Sequence, residues 1–166
     1  IDPTTRELNA SFRTRGVELD KDPRIDVIYD GFNMQDPVVG VGEKARAVRR
    51  AISLAIDPEW ATRHMYNDRV SRVEGPILEE FPEFDPAFRN PWKRRPDESR
   101  AGALERARKV LADAGVDPAT LPPILQDVQE STTDRQLFLA AQRDLAEIGI
   151  QLKSHTSTWQ EMQERI

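Results

Sequence analysis

Cysteine is missing from all 166 residues. Its absence excludes thiol catalysis, disulfides and Cys-ligated metals, and leaves the redox compartment open. No run of 18 apolar residues occurs, so no segment reads as a transmembrane helix. Positive charge is scarce too: 24 Lys and Arg face 29 Asp and Glu, for a net charge of −5 and a pI near 5.2. A general nucleic-acid or anionic-membrane binder needs an excess of cations to neutralise phosphates, so no nucleic acid is expected as a partner. Catalytic motifs are also missing. There is no Gly-x-Ser-x-Gly elbow and no His-Glu-x-x-His. The two histidines, His64 and His155, lie far apart and read as surface or helix-end residues rather than ligands. "GVGEK", residues 40–44, precedes a helix but lacks the Gly-x-x-x-x-Gly-Lys-Ser/Thr spacing that forms an anion nest. Glu79 and Glu80 are adjacent, so they point apart and read as a solvated acidic turn. "KRRP", residues 93–96, reads as a local ion-pair partner for Asp97, Glu98 or Glu105. An enzyme has no residues to stand on here, and neither a metal nor another cofactor is expected.

What is present is a chain of single-domain length, with 38% hydrophobic and 32% charged residues, globular and more polar than average. It opens on Ile1-Asp2-Pro3 and stops at Arg165-Ile166, in what reads as mid-helix, and is expected to be a piece of a longer protein. Helices are its clearest signals. In "EKARAVRRAISLAID", Val48, Ala51, Ile52, Ala55 and Ile56 form one apolar stripe, while Arg46, Arg49 and Arg50 take the other side. Asp57-Pro58 suits an N-cap and first helical position for a second helix running to about Tyr66. A third is expected over about 97–114, stopped by Gly115, and a fourth over about 133–148, stopped by Gly149. The fourth packs through Leu137, Phe138, Ala141, Leu145 and Ile148.

Strands are expected at 17–20, 25–33, 123–130 and 150–156. The last two flank the fourth helix as a βαβ unit, which predicts a parallel pair. Lys21-Asp22-Pro23 joins the first two too tightly for a crossover, which predicts an antiparallel pair and hence a mixed sheet. Residues 67–97 carry five prolines and few helix or strand signals, and Phe81, Phe84, Phe88 and Trp92 are expected to pack that long segment from within.

In order along the chain stand "GFNMQDP", "ARAVRRAISLAID", "GPI" at 75–77, the Pro- and aromatic-rich stretch, "RARKVLADAG" and "RQLFLAAQRDLAEIGIQLKSHTSTWQEM". This ordered set, spanning about residue 12 to residue 166, closely resembles the extracellular solute-binding proteins of family 5. These are the oligopeptide- and dipeptide-binding components of bacterial ABC importers. The resemblance implies an α/β fold with a mixed sheet flanked by helices, part of a periplasmic-binding-protein-like (type II) lobe. On this basis residues 1–166 are a partial C-terminal lobe, with the Pro/aromatic-rich extended segment at about 67–97. The first lobe, the crossing strands of the hinge and a later segment with an anchoring aspartate are absent. Implied partners are a small solute (a peptide), the missing first lobe and the ABC permease in the membrane. The implied location is periplasmic or extracytoplasmic, membrane-associated through the transporter complex. The same fold in a sensory or regulatory receptor is the alternative.

For ligand contact the resemblance points to Gly31, Phe32 and Asn33 at the end of the Gly-Phe-Asn strand, beside the cleft between lobes. It also points to Trp159, whose ring can line a side-chain pocket, and to Met162 one helical turn on. A plainer reading stays open at each: Gly31 relieves packing and Asn33 caps the turn, and Trp159 is a core residue against the fourth helix. Trp60 and Trp92 read as core or loop packing.

Overall fold

The computed structural model describes residues 7–20 and 25–164. An isolated turn of helix, α1 (Ala10–Arg13), has no buried residue. The organising element is α2 (Glu43–Ala55), which buries Ala45, Ala47, Val48, Ala51, Ile52, Leu54 and Ala55. That is more than one stripe, because it packs on α4 (Arg100–Asp113) and on α5 (Thr132–Ala146). The expected wet face is therefore only partly wet. Arg46 is exposed, but Arg49 donates to the carbonyls of Val39 and Gly40, and Arg50 lies 4.1 Å above the ring of Trp92. Small side chains at 45, 47, 51 and 55 let the other helices approach closely.

Helix α3 (Pro58–His64) starts on the expected proline but ends two residues before Tyr66. Asp57 does stand at its N-cap, yet its side chain makes no cap hydrogen bond and faces Arg94 at 3.7 Å instead. The cap of α4 is Ser99, whose hydroxyl accepts from Gly102 N at 3.1 Å, so the helix begins later than the sequence suggested. It buries Ala103, Leu104, Ala107 and Leu111 and is stopped by Gly115 at φ 63°.

The βαβ unit forms as expected. β1 (Ile124–Gln129) and β2 (Leu152–Ser157) pair in parallel, Ile124 beside Leu152 and Val128 beside Thr156, with α5 between them in sequence. Ser131 caps α5 by accepting from Asp134 N at 3.0 Å, and Gly149 at φ 80° lets the chain leave it. Gln142 of α5 donates to Leu152 O at 2.8 Å, fastening helix to strand. Leu54, Leu111, Leu145, Ile150 and Val48 are the fully buried centre of the core.

Asp144 is a buried charge at the edge of this core. It accepts from Asp57 N at 2.8 Å and meets Arg143 at 2.8 Å and Arg100 at 3.2 Å. Arg100 also donates to Ala55 O at the end of α2. One carboxylate thus joins the junction of α2 and α3 to the start of α4 and the end of α5.

Two expectations fail. Residues 17–20 and 25–33 form no strand, and the turn at Lys21-Asp22-Pro23 lies outside the described residues. Among those described, the sheet is two-stranded and parallel rather than mixed. An alternating segment becomes a strand only where another backbone takes its hydrogen bonds. None of the described backbone does so for 25–32, and Ile25, Ile28 and Tyr29 are exposed. The class remains α/β.

The second failure concerns residues 67–97, which are as free of helix and strand as expected but, of their phenylalanines, are packed from within by Phe88 alone, its ring against Gly75. Phe81, Phe84 and Phe88 are exposed, and only Trp92 leans on the core. Arginines hold the segment instead. Arg72 reaches Glu59 at 3.0 Å and Arg94 O at 2.6 Å, Arg94 pairs with Glu59, and Arg106 meets Glu98 and Lys93 O, each at 2.8 Å. Of the "KRRP" cluster, Arg94 therefore finds its carboxylate partners on α3, far away in sequence, and not at 97, 98 or 105. Burial pushes the Glu59 carboxyl up, but the Arg94 hydrogen bond, helped by Asp57, overcomes this and holds it at about 2. Burial and then the neighbouring Glu59 push Asp57 the opposite way, above its ordinary value.

Candidate functional site

Parallel strands present their carboxyl ends together, and in α/β sheets that edge is where ligands meet the protein. Here β1 runs out at Glu130 into the cap of α5, and β2 runs out at Thr158 into α6 (Trp159–Gln163), closed by a Thr158–Glu161 capping box. Between the first half of α5 and the sheet lies an open groove of about 570 Å³, within the size range of small-molecule sites. Val128 and Phe138 form its apolar floor, and the hydroxyls of Ser154 and Thr156 line one wall. Arg135 stands at the rim, exposed, and its guanidinium has no ion-pair partner among the described residues. The groove thus offers apolar surface, hydroxyls, one cation and, at the end of β1, the carboxylate of Glu130.

The expected ligand residues fall into two groups. Trp159 is the first residue of α6 and is 55% exposed, so it is not a core residue packed on α5. Met162 is half-buried on the next turn. Helix α6 packs against both strands, which puts this pair at the same end of the sheet as the groove.

Gly31, Phe32 and Asn33 reach the sheet differently. Asp30, just before them, accepts from Gln126 of β1 at 3.3 Å. Asp30 is exposed as a residue, yet burial by the surrounding chain pushes its carboxyl above the usual range, against the lowering effect of the Gln126 bond. A Cβ at Gly31 would meet nothing within 4 Å, so relief of packing does not account for that glycine. Asn33 does cap the turn: its Oδ1 accepts from Gln35 N at 2.9 Å, and Asp36 repeats the device for Val38 N at 2.7 Å and Val39 N at 3.0 Å. The turn demands glycine later, at Gly40, where a Cβ would collide with the carbonyl oxygens of Met34 and Asp36. Phe32 is half-buried against the core. Among the described residues no hydrogen bond joins 31–33 to α6.

The full length of the chain, residues 1–166, matches the family model described as bacterial extracellular solute-binding proteins, family 5 Middle. The chain belongs to that family. No curated protein and no solved structure matches it. Membership carries a solute-binding role in ABC import and an extracytoplasmic location, and the family is generally non-enzymatic. No helix among the described residues is long and apolar enough to cross a membrane.

Two features of this family 5 chain were not drawn from its sequence. The groove itself needed three dimensions, because Phe138 and Thr156 approach each other only once the strands pair. Arg135 had a legible signal: it lies in the first turn of the helix of a βαβ unit, at the strand's carboxyl end. The histidines are engaged locally. His64 Nδ1 lies 2.9 Å from Trp60 O with the two rings stacked, and His155 lies 3.2 Å from Asp127 on the neighbouring strand. Among the described residues no three His, Cys, Asp or Glu gather as a metal site.

Proposed function

We propose that this chain is a partial C-terminal lobe of a periplasmic solute-binding protein that captures di- and oligopeptides. The solute lies between this lobe and a first lobe, and the closed form delivers it to the ABC permease. The groove beside Arg135 carries the reading. An apolar floor takes a side chain, hydroxyls take backbone groups, and the Arg135 guanidinium suits a terminal carboxylate. Gly31 leaves open space for a backbone to approach, with Phe32 and Asn33 beside it, and the exposed ring of Trp159 with Met162 forms a second contact region.

A single wall encloses too little of a ligand to hold it. A micromolar complex at about −8 kcal/mol would fall to about −4 kcal/mol, near the millimolar range, if only half of the ligand's surface were covered. Calorimetry with di- to pentapeptides is therefore expected to give no heat with the isolated chain and saturable binding with the intact protein. In the latter, Trp159→Ala should weaken binding by about 1–3 kcal/mol, and C-terminal amidation of the peptide should weaken it as well. Micromolar binding by the isolated chain, or an intact Trp159→Ala variant that binds normally, would put the site elsewhere.

A further inference from the structure

Residues 77–89 form an arch that the solute site does not use. Its base is closed by cross-chain ties. Asn90 N donates to Glu74 at 2.9 Å, Lys93 donates to Val73 O, and Phe88 lies over Gly75, with 3.5 Å from its ring to where a Cβ would stand. Below these, Arg72 and Arg94 fix both shoulders to Glu59. Within the arch the chain turns three times, through Phe81 N to Leu78 O, Phe84 N to Phe81 O and Phe88 N to Asp85 O. Only Leu78 points into the protein. Ile77, Phe81, Phe84 and Phe88 are 46%, 43%, 36% and 48% exposed, which groups four large apolar side chains on one short loop.

The charges interleaved with them are all of one sign. Glu79, Glu80, Glu83 and Asp85 are exposed and enter no ion pair among the described residues. The arch's cation, Arg89, donates to the carbonyls of Pro86 and Phe88 at 2.8 and 2.7 Å and neutralises none of them. Solubility would account for the acids but not for the phenyl rings. Apolar anchors rimmed by charge, and held in place before binding, are what a protein interface uses.

We propose that the 77–89 arch is a docking surface for a basic protein face with apolar side chains at its centre, which on the import reading above is the external face of the permease. The negative rim steers and orients the encounter, and Phe81 and Phe84 supply the buried contact. The test uses the intact protein and its permease reconstituted in nanodiscs. Phe81→Ser/Phe84→Ser leaves Phe88 and its seat on Gly75 untouched. It should weaken docking at least about tenfold, as loss of two interface anchors does. Glu79→Gln/Glu80→Gln/Glu83→Gln should weaken it less and flatten its salt dependence. Both variants should bind solute and melt like the wild type. Wild-type docking with undiminished docking by both variants overturns the surface alone. A wild-type protein that binds solute but never engages the permease overturns the import reading and the arch's assignment with it.

Discussion

The helical core and the 67–97 segment are held by opposite means. Helices α2, α4 and α5 close over Leu54, Leu111 and Leu145 with apolar contact at nearly every turn. The segment between α3 and α4 puts Leu78 inside and three phenylalanines outside, and is secured by guanidinium groups on carbonyls and carboxylates. Burial in the core is collective, so any large core side chain matters to the whole. The loop instead depends on a few named donors, each with its own stake in charge and geometry. A chain can therefore carry a long irregular segment without a second core, provided arginines reach from regular elements to its backbone.

The sharpest way to break this contrast is to cut into the core. Leu111→Ala should cost about 3–5 kcal/mol in urea unfolding, and every probe should move together, because the cavity lies between α2 and α4. Loss of the loop alone, with the core intact, would show the two regions to be independent.

Arg94→Ala should cost less, about 1–2 kcal/mol, since Glu59 and Asp57 lose a partner while remaining partly open to water. Its readout is local. Proteolysis between 76 and 89 should accelerate, while amide exchange in α2 and α5 stays slow. Equal loosening of both would erase the distinction between core and loop.

The smallest effect is one of pH. Glu59 is held at about 2 in the folded chain against an ordinary 4.5, so its pairing stabilises above pH 4.5, and that contribution is lost as pH falls from 4.5 towards 2. Asp57 is shifted upward, so its protonation relieves crowding and adds stability as pH falls through its raised value. Glu59→Gln should therefore flatten the decline of stability between pH 4.5 and 2. The difference should stay below about 1 kcal/mol, because the Glu59 side chain is 40% exposed and screened. An unchanged pH profile would mean that the pair contributes nothing.

The same contrast explains what the sequence made legible. Val48, Ala51, Ile52 and Ala55 sit at helical spacing, and Gly115 and Gly149 stop their helices with positive φ, so periodicity and caps located the core. The alternation of Ile25, Val27 and Tyr29 looked like a strand but has no neighbouring backbone among the described residues, and alternation says nothing about whether a neighbour exists. Partners such as Arg94 with Glu59, 35 positions apart, follow no period and appear only when the chain is folded. The candidate site divides likewise. Exposed Trp159 and the Asn33 turn were visible as residues, whereas the groove arises from two strands and a helix meeting.

Asp144 carries a further consequence, for the way such a chain can change over generations. Its carboxylate satisfies the Asp57 N–H and faces both Arg100 and Arg143, while Arg100 also closes the end of α2. Removing the acid leaves the Asp57 N–H without its acceptor and takes one partner from each arginine, although Arg100 keeps Glu147 and the Ala55 carbonyl and Arg143 stays half exposed. Removing Arg100 leaves Arg143 as the one cation on Asp144 among the described residues. Asp144 is therefore the less replaceable of the two: position 100 can change first, whereas any apolar residue at 144 leaves the Asp57 N–H unmet whatever stands at 100.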